Sequence, residues 1–190
     1  MKKYIFILIV IVISSCNHPK KEEIKNKNTS KVVKKELRPF FESDKIDHYY
    51  LNFSEDEFTK LIRKDNRTEK EVEFSNLFTG HFPDRIPKEN FEKILLSHNY
   101  KKSNLSIKQE KEIENIFSEK DSLQNISYAC IAEYRDIFLF KKKEKTVGIA
   151  KICFKCGRFQ IIGSKIDVSG FGLWEELYKL KNIIRPNSKI

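Results

Sequence analysis

The last third of this 190-residue chain carries short β-rich segments at close spacing, and this pattern constrains the fold more than any other. Segments rich in Ile, Phe and Tyr, with only a few residues between them, are typical of an antiparallel meander with tight turns. A last helix is predicted with Leu173, Trp174, Leu177 and Leu180 on its apolar face, and Pro186 ends it. The four expected strands are Ser127–Ala132, Asp136–Lys141, Thr146–Phe154 and Phe159–Gly163.

The middle of the chain carries signals for helix starts. Ser54 with Glu57, and Ser106 with Gln109, have the spacing of a capping box, in which the two side chains satisfy backbone N–H groups reciprocally. Pro87 suits the first turn of another helix, because its fixed φ is already helical and its missing N–H is not needed there. Three helices are therefore predicted before the meander.

Two further segments of the middle region alternate bulky and polar residues. Lys45–Phe53 is predicted to be a strand, and so is Glu71–Phe78, where the charged Glu73 separates Val72 from Phe74. We see no internal repeat and no second linker. The sequence thus predicts a single α+β domain over residues 39–190, with N-terminal helices packed on a C-terminal meander and closed by a last helix.

The N-terminus has the features of a targeting signal. Lys2 and Lys3 precede ten apolar residues, Tyr4–Ile13, and small residues follow at once. The run is too short to span a bilayer, which takes about 20 apolar residues. Its length and flanks instead match a secretory signal peptide over residues 1–15.

Ile13-Ser14-Ser15-Cys16 closely resembles the lipobox of bacterial lipoproteins. The resemblance implies that Cys16 is lipidated and becomes the mature N-terminus, so the protein holds the membrane through acyl chains. Residues 16–38 then form a lipidated flexible tether. Lys20-Lys21-Glu22-Glu23 resembles an export signal for surface lipoproteins, which implies an outer-membrane location on the periplasmic or surface face of the cell envelope.

The net charge of +10 does not indicate nucleic-acid binding. Lys2 and Lys3 leave with the signal peptide, and the stretch from Asn17 to Arg38 holds a net +5, so residues 39–190 are nearly balanced. Lysine makes up most of the basic residues, whereas planar recognition of phosphate and guanine favours arginine. We expect no nucleic-acid partner.

Cys130, Cys153 and Cys156 form the one constellation that carries chemistry. If 142–145 is a hairpin turn, Lys141 pairs with Thr146, and extending this register places Tyr134 opposite Cys153 and brings all three thiols to one end of the hairpin. Three outcomes stay open: a disulfide from Cys130 to Cys153 or Cys156, a zinc site, or reduced cysteines in the core. The candidates for a fourth zinc ligand are His48, His81 and His98.

Cys130 and the segment Ile152-Cys153-Phe154-Lys155-Cys156 together resemble a motif of small uncharacterised bacterial lipoproteins, over about residues 105–180. Glu133–Asp136 stands where that group usually has Pro-Arg-His, so the histidine that could serve as a ligand there is missing. The resemblance implies no activity. Arg135 and Asp136 are interpreted as a strand-edge ion pair, with a polar site beside the thiols as the alternative.

The sequence carries no catalytic motif: no Gly-x-Ser-x-Gly, no His-Glu-x-x-His and no phosphate-binding glycine loop. We therefore expect a non-enzymatic envelope lipoprotein that binds a protein or another envelope ligand, without a cofactor. One specific version is an immunity-type protein that blocks an incoming toxin. The competing class is a metal- or thiol-dependent enzyme that uses Cys130, Cys153 and Cys156.

Overall fold

The structure is a computed structural model that describes residues 37–120 and 130–186. It is an α+β fold, as predicted, with one antiparallel sheet and a last helix after the strands. The strands are β1 (Lys45–Tyr50), β2 (Lys101–Ser103), β3 (Asp136–Lys142), β4 (Lys145–Cys153) and β5 (Arg158–Ile162). The helices are α1 (Glu55–Ile62), α2 (Glu69–Thr79), α3 (Phe91–Ser97), α4 (Ile107–Ile116) and α5 (Trp174–Ile184).

The sheet has the strand order β2-β1-β3-β4-β5, so the C-terminal hairpins form only part of it. β1 and β2 come from the N-terminal half and extend the sheet beyond β3. They replace the first predicted strand of the meander, because residues 130–132 adopt no strand and 127–129 lie outside the described residues. The predicted strand over Lys45–Phe53 is confirmed as β1, which ends at Tyr50.

Helices cover both faces of the sheet, which explains why β3 and β4 are buried along nearly their whole length. Side chains alternate along a strand, so Phe138 and Phe140 point to one face and Ile137 and Leu139 to the other. We call the first the α4–α5 face and the second the α1–α3 face, after the helices that pack on each. Each face has its own apolar core.

The helix starts follow the capping signals. Ser54 and Ser106 cap α1 and α4 with complete capping boxes, as predicted. The helix predicted near Pro87 begins only at Phe91, because the Asn90 side chain accepts a hydrogen bond from Glu92 N at 3.0 Å and sets the N-terminus there. Pro87 therefore lies in the preceding loop and not in the first turn.

The strand predicted over Glu71–Phe78 is wrong, since this segment lies within helix α2. Thr68 and Glu71 form a third capping box, and Phe74, Leu77 and Phe78 then fall on the buried side at helical spacing. Val72 is exposed on this helix, so its spacing from Phe74 did not indicate a common buried strand face.

The hairpin register is confirmed at its turn, where Lys141 pairs with Thr146. A bulge between Phe140 and Lys141 then shifts the pairing by one residue, so that Phe140 lies opposite Gly148. The predicted pairing of Tyr134 with Cys153 is consequently wrong, and β3 begins only after Tyr134.

The N-terminal end of the described chain is fixed to the domain. Arg38 donates two hydrogen bonds to the Glu119 carboxylate, at 2.8 and 2.5 Å, and its carbonyl accepts one from Glu119 N. Cys16 and the proposed signal peptide lie outside the described residues. Among residues 37–120 and 130–186, no helix combines the length and apolar character needed to cross a membrane.

Candidate functional site

The three cysteines meet where β4 turns into β5. Cys153 is the last residue of β4, and the turn that follows is closed by a hydrogen bond from Gly157 N to Cys153 O at 2.9 Å. Gly157 has φ +70°, in the region that glycine adopts without strain. The Cys-x-x-Cys motif is therefore a strand-to-strand turn, which keeps its two sulfurs close to each other.

Cys130 and Cys156 form a disulfide with a Cα–Cα distance of 6.5 Å. The Cys153 thiol is free, and its Sγ lies 3.3 Å from Cys156 Sγ. Cys153 is buried against Ala132 and Tyr134, whereas both disulfide cysteines are partly exposed. The structure thus brings together all three cysteines singled out in the sequence.

The histidines considered as a fourth zinc ligand are engaged elsewhere or stand apart. His48 contacts Ser103 and Asp136, His98 contacts Glu73, and His81 is exposed on the loop after α2. Within residues 37–120 and 130–186, no three or more His, Cys, Asp or Glu side chains are grouped so as to hold a metal ion.

Arg135 and Asp136 do not pair with each other, so the ion pair expected from the sequence is wrong. They are neighbours in an extended chain and their side chains diverge. Arg135 pairs with Glu133 at 2.6 Å, while Asp136 is buried and pairs with Arg185 at 2.5 Å. Asp136 also contacts His48 Nε2 at 3.0 Å.

A buried polar chain runs across β2, β1 and β3 and was missed from the sequence. Ser103 Oγ lies 3.1 Å from His48 Nδ1, and His48 Nε2 lies 3.0 Å from Asp136 Oδ1. In such an arrangement the histidine can act as a base on the hydroxyl, but acyl transfer also needs an open site with donors for the oxyanion. Neither Ser103 nor His48 lines the groove described next. These hydrogen bonds instead join three strands to Arg185 at the end of α5.

A groove of about 750 Å³ lies between α1, α2 and the α3–β2 connection; we call it the helical groove. Its less exposed lining is apolar, whereas its exposed lining is polar and includes four lysines and the carboxylate of Glu57. The apolar residues are Leu51, Phe53, Leu61 and Phe74. The lysines are Lys60, Lys64, Lys70 and Lys101.

Only part of this positive charge is neutralised within the domain. Lys64 Nζ lies 2.8 Å from Glu71, and this hydrogen bond, together with the Thr68 backbone N–H, lowers the pKa of Glu71 to about 2. Within the described part of the chain, Lys70 and Lys101 make no ion pair. The groove can therefore offer apolar contact and free ammonium groups to the same ligand.

A buried lysine is the second feature that sequence reasoning missed. Lys151 Nζ donates to the carbonyls of Gly80 and Phe82, at 2.9 and 2.8 Å, and lies 4.4 Å from the centroid of the Tyr134 ring. Burial lowers the pKa of Lys151 from its ordinary value of 10.5 to about 7. A lysine within an otherwise apolar strand was the signal that could have found it.

Comparison with protein-family models, with curated proteins and with solved structures returns no match to this chain.

Proposed function

We propose that the mature protein is a lipid-anchored lipoprotein of the bacterial cell envelope whose helical groove binds a protein partner in a non-catalytic way. The helical groove carries this proposal, because it combines an apolar lining with the ammonium groups of Lys70 and Lys101, which form no ion pair among the residues that the structure describes. The anchor is proposed separately, on the lipobox that ends at Cys16.

The partner surface that fits the groove is a peptide segment with apolar residues flanked by carboxylates. Phe53 and Phe74 offer ring surface, their centroids 5.0 Å apart, on which aliphatic or aromatic side chains can pack. Carboxylates on either side would meet the ammonium groups of Lys70 and Lys101, which belong to α2 and β2. The charge comes from separate elements and so favours an extended partner over a small anion with one charged point.

An immunity-type role is the specific version of this proposal: the partner is then a toxin with an acidic segment. A protein that intercepts a toxin at the envelope needs an anchor and a binding face but no catalytic group. A deletion strain that stays as resistant to such toxins as the parent strain would remove this version and leave the binding proposal intact.

Binding to the groove is testable with defined peptides. A 12-residue peptide of Glu, Leu and Phe should bind the chain that begins at Asn17 and shift the amide resonances around Phe74. The double variant Lys70→Glu, Lys101→Glu should weaken this binding about tenfold or more, which corresponds to about 1.4 kcal/mol. Lys145→Glu, an exposed lysine of the β3–β4 hairpin, is the matched control.

The peptide comparison also has contrary outcomes. Equal binding of a peptide of Lys, Leu and Phe would mean that the groove lysines do not select acidic ligands, and the proposal would be dropped. Binding of laurate but not of the acidic peptide would assign the groove to a fatty acid and contradict a protein partner.

The anchor is tested separately on the full chain in a bacterial host. Mass spectrometry should find acyl chains on an N-terminal cysteine at position 16, and Cys16→Ala should lose this modification and the membrane attachment that depends on it. An unmodified Cys16 would refute the lipoprotein proposal while leaving the groove proposal standing.

A further inference from the structure

In the cysteine cluster, a free thiol lies within reacting distance of a disulfide. Cys156 is bonded to Cys130, and the free thiol of Cys153 stands 3.3 Å from the same Cys156 sulfur. Reacting atoms held about 3 to 3.5 Å apart are at the distance of a near-attack conformer. We propose that this cluster is a thiol–disulfide exchange site in which Cys153 displaces Cys130 from Cys156 and presents Cys130 to an external disulfide.

The internal step conserves atoms and electrons. The Cys153 thiol loses its proton, and the thiolate attacks Cys156 Sγ. A bond forms between the sulfurs of Cys153 and Cys156, while the bond between Cys156 and Cys130 breaks. The electron pair of the broken bond leaves on Cys130, which takes up a proton. One disulfide and one thiol are present before and after, so the step needs no oxidant or reductant.

The fold accommodates the product because Cys153 and Cys156 bracket one turn. The hydrogen bond from Gly157 N to Cys153 O folds the chain back on itself there, and Cys153 Sγ lies 3.3 Å from Cys156 Sγ within this turn. Exchange therefore needs side-chain rotation in the turn. β4 and β5 stay paired up to Cys153 and Arg158, next to the reacting atoms.

Exchange moves the free thiol from a buried place to a more accessible one. Cys153 is only 1% exposed, beneath Ala132 and Tyr134, so an external reagent does not reach it directly. Cys130 is partly exposed. Once released, its thiolate can attack a disulfide R–S–S–R, forming a Cys130–S–S–R mixed disulfide and releasing R–S⁻. The substrate class is a small or protein-borne disulfide.

The test uses the folded full chain and oxidised glutathione as the probe. After incubation at pH 8, acid quenching and peptide mapping should find glutathione on Cys130 and a disulfide between Cys153 and Cys156. Cys153→Ser should form no adduct, because nothing displaces Cys130. Cys130→Ser should contain the Cys153–Cys156 disulfide and form no adduct either. Mapping by peptide separates these cysteines from Cys16.

The opposite results would overturn the proposal. They are glutathione found on Cys153, an adduct that forms in Cys153→Ser as fast as in the wild type, or labelling that occurs only at the rate of global unfolding. If Cys153→Ser does not fold, acid trapping of the unlabelled wild type decides instead. Both disulfides should then be found in the folded population, and Cys130–Cys156 alone would contradict exchange. These outcomes do not depend on the groove or on the lipid anchor.

Discussion

The two faces of the sheet differ in how completely their helices cover them. On the α4–α5 face, α4 and α5 contact each other, and Phe117 joins a continuous aromatic cluster with Phe138, Phe140 and Phe171. On the α1–α3 face, helices α1, α2 and α3 leave the helical groove open. The first face is closed by packing, whereas the second keeps surface free for a ligand.

The faces also differ in the chemistry they bury. The α4–α5 face holds the paired His48 and Asp136, whose hydrogen bonds are met within the domain. The α1–α3 face holds the buried Lys151 and the free thiol of Cys153. Both faces thus bury polar groups, and the α1–α3 face buries a lysine and a free thiol. Because the α4–α5 face is the one closed by packing, we expect stability to depend most on that face.

Deleting an aromatic ring on each face is the strongest test of this difference. Phe117→Ala removes a 1% exposed ring that contacts three others and should lower the free energy of unfolding by about 4 kcal/mol. Phe74→Ala, at the partly exposed lining of the groove, should cost about 1 to 2 kcal/mol. Urea denaturation measures both, and equal losses would show that the two faces are packed alike.

Buried ion pairs offer a second comparison. Asp136→Asn leaves Arg185 and His48 without their carboxylate and should cost about 3 kcal/mol. Asp47→Asn, on the α1–α3 face, should cost less, because Lys141 keeps Glu92 at 2.9 Å. A larger loss for Asp47→Asn in thermal or urea unfolding would reverse this order and contradict the comparison.

The pH dependence of stability should report the buried lysine. The pKa of Lys151 is about 7 in the folded protein and 10.5 when solvated, so the unfolded chain binds more protons between these values. The free energy of unfolding should therefore rise with pH in that window, by up to about 1.4 kcal/mol per pH unit.

Lys151→Met should remove this rise of the free energy of unfolding with pH. Relative to the variant, the wild type should gain about 2 kcal/mol between pH 7 and pH 9, measured by urea denaturation at each pH. Lys145→Met, an exposed lysine of the same strand, is the control and should follow the wild type. Parallel curves for wild type and Lys151→Met would show that Lys151 stays charged throughout.

Helix caps should give the smallest effects, nearly equal on the two faces. Ser106→Ala removes the cap of α4 and Ser54→Ala that of α1, and each should cost about 1 kcal/mol. Replacement by glycine should cost only a few tenths of that. A much larger loss at Ser106 would mean that its partner Gln109, which also donates to Ile183 O at 2.6 Å, couples the cap to α5.

Features that depend on neighbouring residues were predictable. The capping boxes at Ser54 and Ser106, the turn where Lys141 meets Thr146 and the last helix were all readable, because each depends on contacts a few residues apart. The strand prediction over Glu71–Phe78 was wrong for a related reason. Period-two and helical patterns overlap over eight residues, and the deciding capping box began three residues earlier, at Thr68.

The sequence by itself determined the α+β class and the meeting of three cysteines at one end of a hairpin, since chain proximity and the turn carry that information. Only the tertiary structure decided which sulfurs are bonded, which strands flank β3, and that α1 and α2 leave a groove between them. The physical reason is that these features join residues far apart in sequence. Which of these residues come together depends on packing over the whole sheet, and a local sequence pattern carries no information about that packing.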